Sequence, residues 1–479
     1  MIAAMNTRMN KLKNAPVSFQ STLRVTGVLL AVFLTGCASL NGPYQAPAVI
    51  LPGQYAYAGA STAANSAMAR DAWWKNFADP ELDRLVAEAL ARNNDLAAAA
   101  IRVRRAQLAF DLSGNALLPQ FSASASLGAR RALDGNTGTT RSSGASVGAG
   151  YELDLWNKLG SQRDVARWDA LATQQDRESA ALTLVGTTAR LYWQLAFLNQ
   201  RLTSNAESIT YAQRTFELVQ SQYRAGAVSG LELAEARQAL GSQLASQRQL
   251  QQQAVEAQTA LALLFDGPPG TVLTNPQRLP DNALPVIRPG LPVELLARRP
   301  DLRAAQLRLQ GSFTNIDATR ASYYPSLTLT GSLGTSSASL LNLLQNPVAA
   351  LGAGITLPFL RRTEMKLNIQ VSEADYEAAV VNYRQTLYVA LGDVENSLSA
   401  QEQLAQQGVL LAQVLDDARR VERLYEIQYR AGAATLKAWL DAQERRRSAE
   451  IAVAENRLAR LGNQVGLYQA LGGGDAVAP

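Results

Sequence analysis

The stretch Gln222-Tyr-Arg-Ala-Gly226 decides the fold, because the chain contains it a second time as Gln428-Tyr-Arg-Ala-Gly432. Each copy lies between long runs without proline. A glycine just after a helical run adopts the left-handed conformation that ends a helix without a Cβ clash. After the first copy, Ser229 and Glu232 have the spacing of a capping box, which starts a new helix. The pattern predicts a tight turn between two long antiparallel helices, formed once in each half of the chain.

The two halves of the chain form a direct repeat with an offset of 206 residues. Tyr223 and Tyr429 have this separation, and so do Pro119 and Pro325, which precede runs of alternating polarity. The same offset at two distant markers indicates an internal duplication. Each half is therefore expected to build the same set of elements.

Each half contains two runs in which small apolar residues alternate with Ser, Thr or Gly. In the first half the runs start at Phe121 and Val147, and in the second half at Leu327 and Leu351. A period of two predicts strands with one apolar and one polar face. We expect β-hairpins at 120–156 and 325–359, with apolar faces suited to lipid.

Long helices follow each predicted hairpin. The proline-free run 157–265 is divided by the first tip into helices of about 65 and 35 residues, and the longer one would extend about 100 Å. The second of these helices carries a heptad stripe from Leu233 to Leu264, which favours coiled-coil packing. Its polar segment Gln247–Gln253 fits either a lumen or a solvated outer face.

The N-terminal region is predicted to be a secretory signal. Basic residues precede a short apolar core, Val25–Leu34, which is too short to span a bilayer. The sequence Leu34-Thr-Gly-Cys37 resembles the lipobox of bacterial lipoproteins, which implies a covalent diacylglycerol on Cys37. The absence of Asp at position 38 resembles sorting to the outer membrane.

These signals predict five regions. We expect a signal peptide at 1–36, an acylated extended leader at 37–70, a first repeat at 71–284, a second repeat at 285–470, and a flexible C-terminal tail at 471–479. The helix tips are predicted near 223–230 and 429–436.

Composition argues against most catalytic chemistry. The chain has no histidine and one cysteine among 479 residues, which excludes histidine-dependent triads, Cys/His metal sites and an internal disulfide. Phosphate-binding and nucleophile-elbow motifs are also lacking. Four of the 45 basic residues lie in residues 1–36, which hold no acidic residue, so 41 basic and 40 acidic residues remain. We predict neither an enzyme, nor a bound cofactor or metal, nor a nucleic-acid partner.

Four strands per chain cannot close a pore alone, and open strand edges are not tolerated in lipid. Two copies would give eight strands, a barrel filled by its own side chains. Three copies would give twelve strands, which is wide enough for an aqueous bore. The strand count therefore favours a trimeric duct.

The chain resembles the TolC-like outer-membrane factors, and within them the lipoprotein branch of NodT-type efflux proteins. The resemblance covers residues 37–470 and is carried by the lipobox, both Tyr-Arg-Ala-Gly tips, and three further groups of residues: Trp73, Trp74, Phe77, Asp79, Pro80, Leu82 and Leu85; Asn94, Asp95 and Leu96; and Arg298–Arg303 with Leu440–Gln443. It implies a mainly α fold with membrane β structure. The expected assembly is a homotrimer with a 12-stranded β-barrel in the outer membrane and a long periplasmic α-helical barrel.

The resemblance also implies partners and a gate. The duct would receive small molecules from a periplasmic adaptor (membrane fusion) protein and an inner-membrane transporter of the resistance-nodulation-division (RND) type. Asp441 matches an aspartate that lines the periplasmic constriction in this family, and Tyr429 matches a tyrosine that ties helix pairs together in the closed state. Arg430 is expected to pair with a carboxylate across the same seam, and Lys437 to weaken cation selectivity. Glu235 is the equivalent of Asp441 in the first repeat.

Some family features are missing, and alternatives remain open. Ala438 and Ala434 occupy positions where other members carry a second acidic ring and a gating arginine. The turns at Tyr223, Arg224, Gly226 and Gly432 are expected to contact the adaptor. The same architecture could serve type I protein secretion, and the helices and Cys37 alone would also fit a periplasmic coiled-coil scaffold.

Overall fold

The computed structural model describes residues 42–57, 72–131, 139–287, 289–338 and 346–473. The predicted signal peptide and Cys37 lie outside these residues. The chain divides into two compact units, neither of which is continuous in sequence. Unit 1 comprises residues 1–46, 108–168 and 310–378, and unit 2 comprises 47–107, 169–309 and 379–479. Each unit therefore takes segments from both halves of the repeat.

Unit 1 contains a four-stranded antiparallel sheet. Its strands are β1 (Gln120–Arg131), β2 (Thr139–Leu153), β3 (Ser326–Ser337) and β4 (Pro347–Thr356), in the order β1-β2-β3-β4. The strand β2 begins at Thr139, which pairs with Arg131 at the end of β1.

The register of the sheet gathers the apolar residues of all four strands on one face. Directly paired residues point to the same side of a sheet. Ala149 pairs with both Phe121 and Gly331, and Gly331 pairs with Leu351. The same face carries these residues: Ala123, Ala125, Leu127, Val147, Tyr151, Leu327, Leu329, Leu333, Ala353 and Ile355. The opposite face is dominated by Ser, Thr and Gly, so the sheet has the two faces that the sequence predicted.

Aromatic side chains mark the ends of the strands. Trp156 stands beside Tyr324 with ring centroids 5.2 Å apart, and its indole N–H donates to the carbonyl of Pro325 at 2.8 Å. Such amphipathic rings suit the boundary between lipid and water.

Four long helices are the largest elements in the part of the chain that the structure describes. They are α3 (Lys158–Arg224), α4 (Gly230–Leu263), α6 (Arg362–Arg430) and α7 (Leu436–Ala470), with 67, 34, 69 and 35 residues. Among the described residues, none of the helices combines the length and apolar character that a membrane span requires. The predicted heptad stripe of α4 is buried at Ala236, Gln243, Leu250, Ala254, Ala257 and Leu261.

Shorter helices precede each hairpin. In the first half these are α1 (Pro80–Arg92) and α2 (Asn94–Asn115), which are separated at Asn93. Asn93 causes the break: its side chain accepts from the backbone N–H of Leu96 at 3.0 Å and donates to the carbonyl of Leu264 at 3.0 Å. The second half has a helical turn at Leu295–Arg298 followed by α5 (Pro300–Ala321).

The main core of unit 2 is built around aromatic residues. Trp73 stacks on Tyr468 with centroids 4.8 Å apart, and Phe77 contacts Trp193 edge-on at 4.8 Å. Trp193 is fully buried. The Trp73 and Phe77 motif thus joins the N-terminal segment to α3 and α7.

Residues 47–57 of the leader are docked on unit 2. Tyr55 is 3% exposed and joins an apolar cluster that contains Leu387, Val394 and Leu467. The backbone N–H groups of Ala56 and Tyr57 donate to the carboxylate of Glu395 at 2.8 and 3.4 Å. This part of the predicted extended leader is without regular secondary structure but has defined contacts.

Candidate functional site

Both helix tips are built by the same backbone geometry. Gly226 and Gly432 have φ values of 71° and 73°, in the left-handed region that favours glycine. At each tip the following alanine, Ala227 or Ala433, donates its N–H to the carbonyl five residues earlier, at 2.9 and 2.8 Å. These bonds satisfy carbonyls that the helix end would otherwise leave free.

The next helices start with side-chain caps. Ser229 and Glu232 form the predicted capping box, in which the Ser229 N–H donates to the Glu232 carboxylate at 2.9 Å. In the second half, Thr435 Oγ1 accepts from the N–H of Ala438 at 3.2 Å. The repeated turn motif therefore specifies two equivalent tips.

The two tips meet in one apolar cluster within unit 2. Trp439, which is 2% exposed, lies at its centre with Val219, Ala236 and Leu436. Its ring stacks on Tyr429 at 5.1 Å and contacts Tyr211 edge-on at 5.8 Å. The first and second helix pairs are thus packed against each other beside their turns.

Tyr429 also makes a polar link between the tips. Its hydroxyl donates to Gln222 Oε1 at 3.0 Å, which connects the second tip to the first tip of the same chain. Burial, with a smaller contribution from Glu232, raises the pKa of Tyr429 above its ordinary value. Burial and the carboxylates of Glu426 and Glu422 raise the pKa of Tyr211 to about 12. Both tyrosines stay protonated at physiological pH and keep their hydroxyl donors.

The charged residues predicted at the gate are distributed over both tips and do not form one cluster. Arg430 pairs with Glu426, one turn earlier on its own helix, at 2.5 Å. Lys437 pairs with Asp441 at 3.4 Å, and both side chains are at least half exposed. Glu235 is partly exposed on α4. Asp441 thus carries a neighbouring positive charge, as the position of Lys437 predicted.

The residues predicted to face an adaptor are accessible at the turns. Tyr223 is 46% exposed, and Arg224, Gly226 and Gly432 are also exposed. Tyr223 is therefore more exposed than its repeat equivalent Tyr429, because only Tyr429 is covered by Trp439.

The sequence analysis missed Trp439. Its repeat equivalent is Leu233, so a comparison of the two repeats does not identify position 439 as a special site. The signal that was available is the large aromatic residue placed four residues after a helix start, beside a tip that already contains a tyrosine.

Comparison with known proteins identifies the family. The model of the outer membrane efflux protein family matches residues 85–266 and 291–473, one stretch in each half. The pyoverdine export outer membrane protein OpmQ of Pseudomonas putida is 35% identical over 84% of this chain and 88% of its own. The probable outer membrane lipoprotein SilC of Salmonella typhimurium is 28% identical over 94% and 99%.

A solved channel has the same fold. The open state of the outer membrane channel MtrE from Neisseria gonorrhoeae is 31% identical and aligns with a TM-score of 0.76 over 90% of this chain and 97% of that one. The likeness confirms the predicted TolC-like fold and outer-membrane location. Together with four strands in each chain, it makes the scaffold alternative wrong. The chain belongs to the outer membrane efflux protein family, and it is an outer-membrane efflux channel rather than an enzyme.

Proposed function

We propose that three copies of this chain form the exit duct of a tripartite efflux system. The duct passively conducts small molecules, such as drugs or other toxic compounds, to the outside. It receives them from a periplasmic adaptor protein and an inner-membrane pump of the RND type. OpmQ, a relative named for pyoverdine export, supports a small-molecule cargo.

One observation supports the proposal of a trimer: the sheet of each chain has an apolar face and two open edges, β1 and β4. Edges with free N–H and C=O groups must be paired in a bilayer, since lipid offers them no partners. Three sheets joined edge to edge give twelve strands and an aqueous bore. The exposed apolar residues, such as Leu351 at 94% exposure, then face lipid.

The anchor is proposed to be lipid on Cys37. Several acyl chains hold a protein on a membrane firmly, whereas one chain binds marginally. The relative SilC, which is named as a lipoprotein, supports this proposal. The docked leader at residues 47–57 would fix the body of the chain close to its anchor.

The gate is proposed to lie at the helix tips. Asp441 from three copies would form a ring of carboxylates that favours cations, and Lys437 would reduce its potential. Tyr429 would hold the second helix pair to the first, and Arg430 would stiffen the end of α6 through Glu426. Glu235 would contribute a second carboxylate from the first repeat. The exposed residues Tyr223, Arg224, Gly226 and Gly432 would contact the adaptor.

Complementation tests this function. The gene is deleted in its host, and intracellular accumulation of a fluorescent efflux substrate is measured with and without plasmid-borne wild-type protein. Wild type should restore low accumulation, whereas Leu351→Arg, which places a charge on the lipid face, should not. Restored secretion of a protein without restored efflux would support the type I secretion alternative instead.

A further inference from the structure

Several charged residues near the second tip have uncharged equivalents in the first repeat. Seven of the charged residues within about four turns of the second tip on α6 and α7 have an uncharged residue 206 positions earlier. These charged residues are Arg419, Glu422, Glu426, Glu444, Arg446, Arg447 and Glu450. Their equivalents are Gln213, Phe216, Gln220, Gln238, Leu240, Gly241 and Leu244. At these positions the two hairpins therefore differ in the side chains that can link their helices.

Four of these residues form a continuous ionic chain between α6 and α7. Arg446 contacts Glu422 at 2.5 Å and Glu450 at 2.6 Å, and Glu450 contacts Arg419 at 3.3 Å. Glu422 and Arg446 are the least accessible members, with side chains 13% and 22% exposed. The chain crosses from one helix to the other at Glu422–Arg446 and again at Arg419–Glu450.

The ionic chain lies next to the gate. Glu422 precedes Tyr429 by seven residues, which is two turns of α6. Arg446 follows Asp441 by five residues on α7. A change in the spacing of the two helices at this level therefore moves the tip residues.

Charged or polar side chains from α3, α6 and α7 surround Glu422. Arg446 and Arg447 face it from α7 and Glu426 from α6, while the hydroxyl-bearing Tyr211 approaches from α3. Burial raises the pKa of Glu422 above its ordinary value, and the two arginines oppose this rise only in part.

The ionic chain is also open to ions. All four of its members line a cavity of about 890 Å³ in unit 2, to which α4 contributes neutral groups such as Ser242 and Gln243. Salt can screen charges that border such a space.

We propose that Glu422 and Arg446 are positioning residues of the gate: their ion pair holds α6 to α7 and makes the second hairpin sensitive to salt, while the first hairpin is held by apolar packing and is insensitive. This inference rests on the proposed gate at the tips. Because burial raises the pKa of Glu422, protonation is favoured in the packed hairpin, and acid is not expected to loosen the hairpin through this group.

The test measures the hairpins directly. Cysteines at Leu424 and Arg445, both exposed, place nitroxide labels on α6 and α7 of the second hairpin. Leu218 and Ala239 are their repeat equivalents and report on the first hairpin. The wild-type protein, which has no added cysteine, is the control that shows any labelling of Cys37. Distances are measured by pulsed electron paramagnetic resonance on the detergent-purified protein.

We expect the second hairpin to have a narrow distance distribution at pH 7 and low salt. The distribution should broaden in about 1 M salt, and the first hairpin should not respond. Glu422→Gln should broaden the distribution of the second hairpin at both salt concentrations. The double variant Glu422→Phe/Arg446→Leu, which copies the first repeat, should restore a narrow distribution that does not change with salt. Asp416→Asn, which removes an exposed pair within α6, is the matched control and should behave like wild type.

Planar bilayers then connect the hairpin to the gate. Glu422→Gln is expected to raise the open probability about fivefold, which is the effect of losing a modest ion pair in a two-state equilibrium. A second hairpin that is unaffected by salt and by Glu422→Gln would overturn the inference, and so would an altered hairpin with unchanged open probability. The proposed function fails separately, if the wild-type protein conducts no ions at all.

Discussion

At the residue scale, the Arg-Arg-Pro-Asp-Leu-Arg stretch is a structural junction. Arg299, whose side chain is 12% exposed, contacts Asp301 at 2.7 Å and Asp393 at 3.1 Å. It also donates to the carbonyl of Ala470 at 3.3 Å. One guanidinium therefore connects the start of α5 with α6 and the end of α7, which explains why these residues carry family resemblance without touching the gate.

Asp301→Asn should lower stability and change its acid dependence. Burial alone would raise the pKa of Asp301, but the hydrogen bonds and charge of Arg299 outweigh burial and lower it. A lowered pKa stabilises the fold above the ordinary carboxyl pKa, and this stability is lost as pH falls through the folded value. Loss of about 1 kcal/mol is expected at pH 7, after allowance for solvent screening.

Thermal unfolding in detergent from about pH 7 to pH 3 checks this prediction. The difference between wild type and Asp301→Asn should shrink as the pH falls. Asp281→Asn is the control, because its contact with Arg278 is 3.7 Å long and highly exposed. An equal loss in both variants would contradict the assigned role of Arg299.

Lys437 and Asp441 should affect the ion selectivity of the channel in opposite directions. Lys437→Gln removes the cation 3.4 Å from the Asp441 carboxylate and should raise the cation-to-anion permeability ratio about twofold. Asp441→Asn should lower it by a similar factor. Reversal potentials across a salt gradient in planar bilayers measure the ratio. Unchanged permeability ratios in both variants would show that neither charge acts on the bore.

At the element scale, the alternating strands and the tips were predictable because local rules govern them. A period of two fixes the faces of a strand, and the glycine at Gly226 or Gly432 fixes the end of a helix. The hydrogen bond from Asn93 to the carbonyl of Leu264 was not predictable from local sequence, since the two residues are 171 positions apart. The edge-on contact of Trp439 with Tyr211 was missed for the same reason: Tyr211 comes from the other half of the chain.

The two faces of the sheet should respond differently to a charge. Leu351→Arg places a guanidinium on the apolar face of β4, where the cost near the bilayer centre is about 2–4 kcal/mol. Ser332→Arg is the matched control, because Ser332 lies on β3 at nearly the same level and on the polar face. Outer-membrane fractionation should recover the Ser332 variant and lose most of the Leu351 variant. Equal recovery would mean that the apolar face does not contact lipid.

At the scale of the whole molecule, the open edges β1 and β4 must be paired with other copies, and three copies give the twelve strands that enclose an aqueous bore. Coexpression of untagged and mass-tagged chains should therefore yield four species by native mass spectrometry, with zero, one, two or three tags. A dimer would yield three species. The relative amounts should follow random mixing, because each copy offers the same two edges to its neighbours.

The interleaving of the two units has a consequence for biogenesis. Unit 1 cannot be completed before residue 378 has been made, and unit 2 needs residues beyond 379. In the sheet, Ser143 must find Ser337, 194 residues later. Such distant pairings form slowly because the intervening chain must first be closed into a loop. An unfinished chain therefore contains neither complete unit, and folding is expected to finish only after most of the chain has been made.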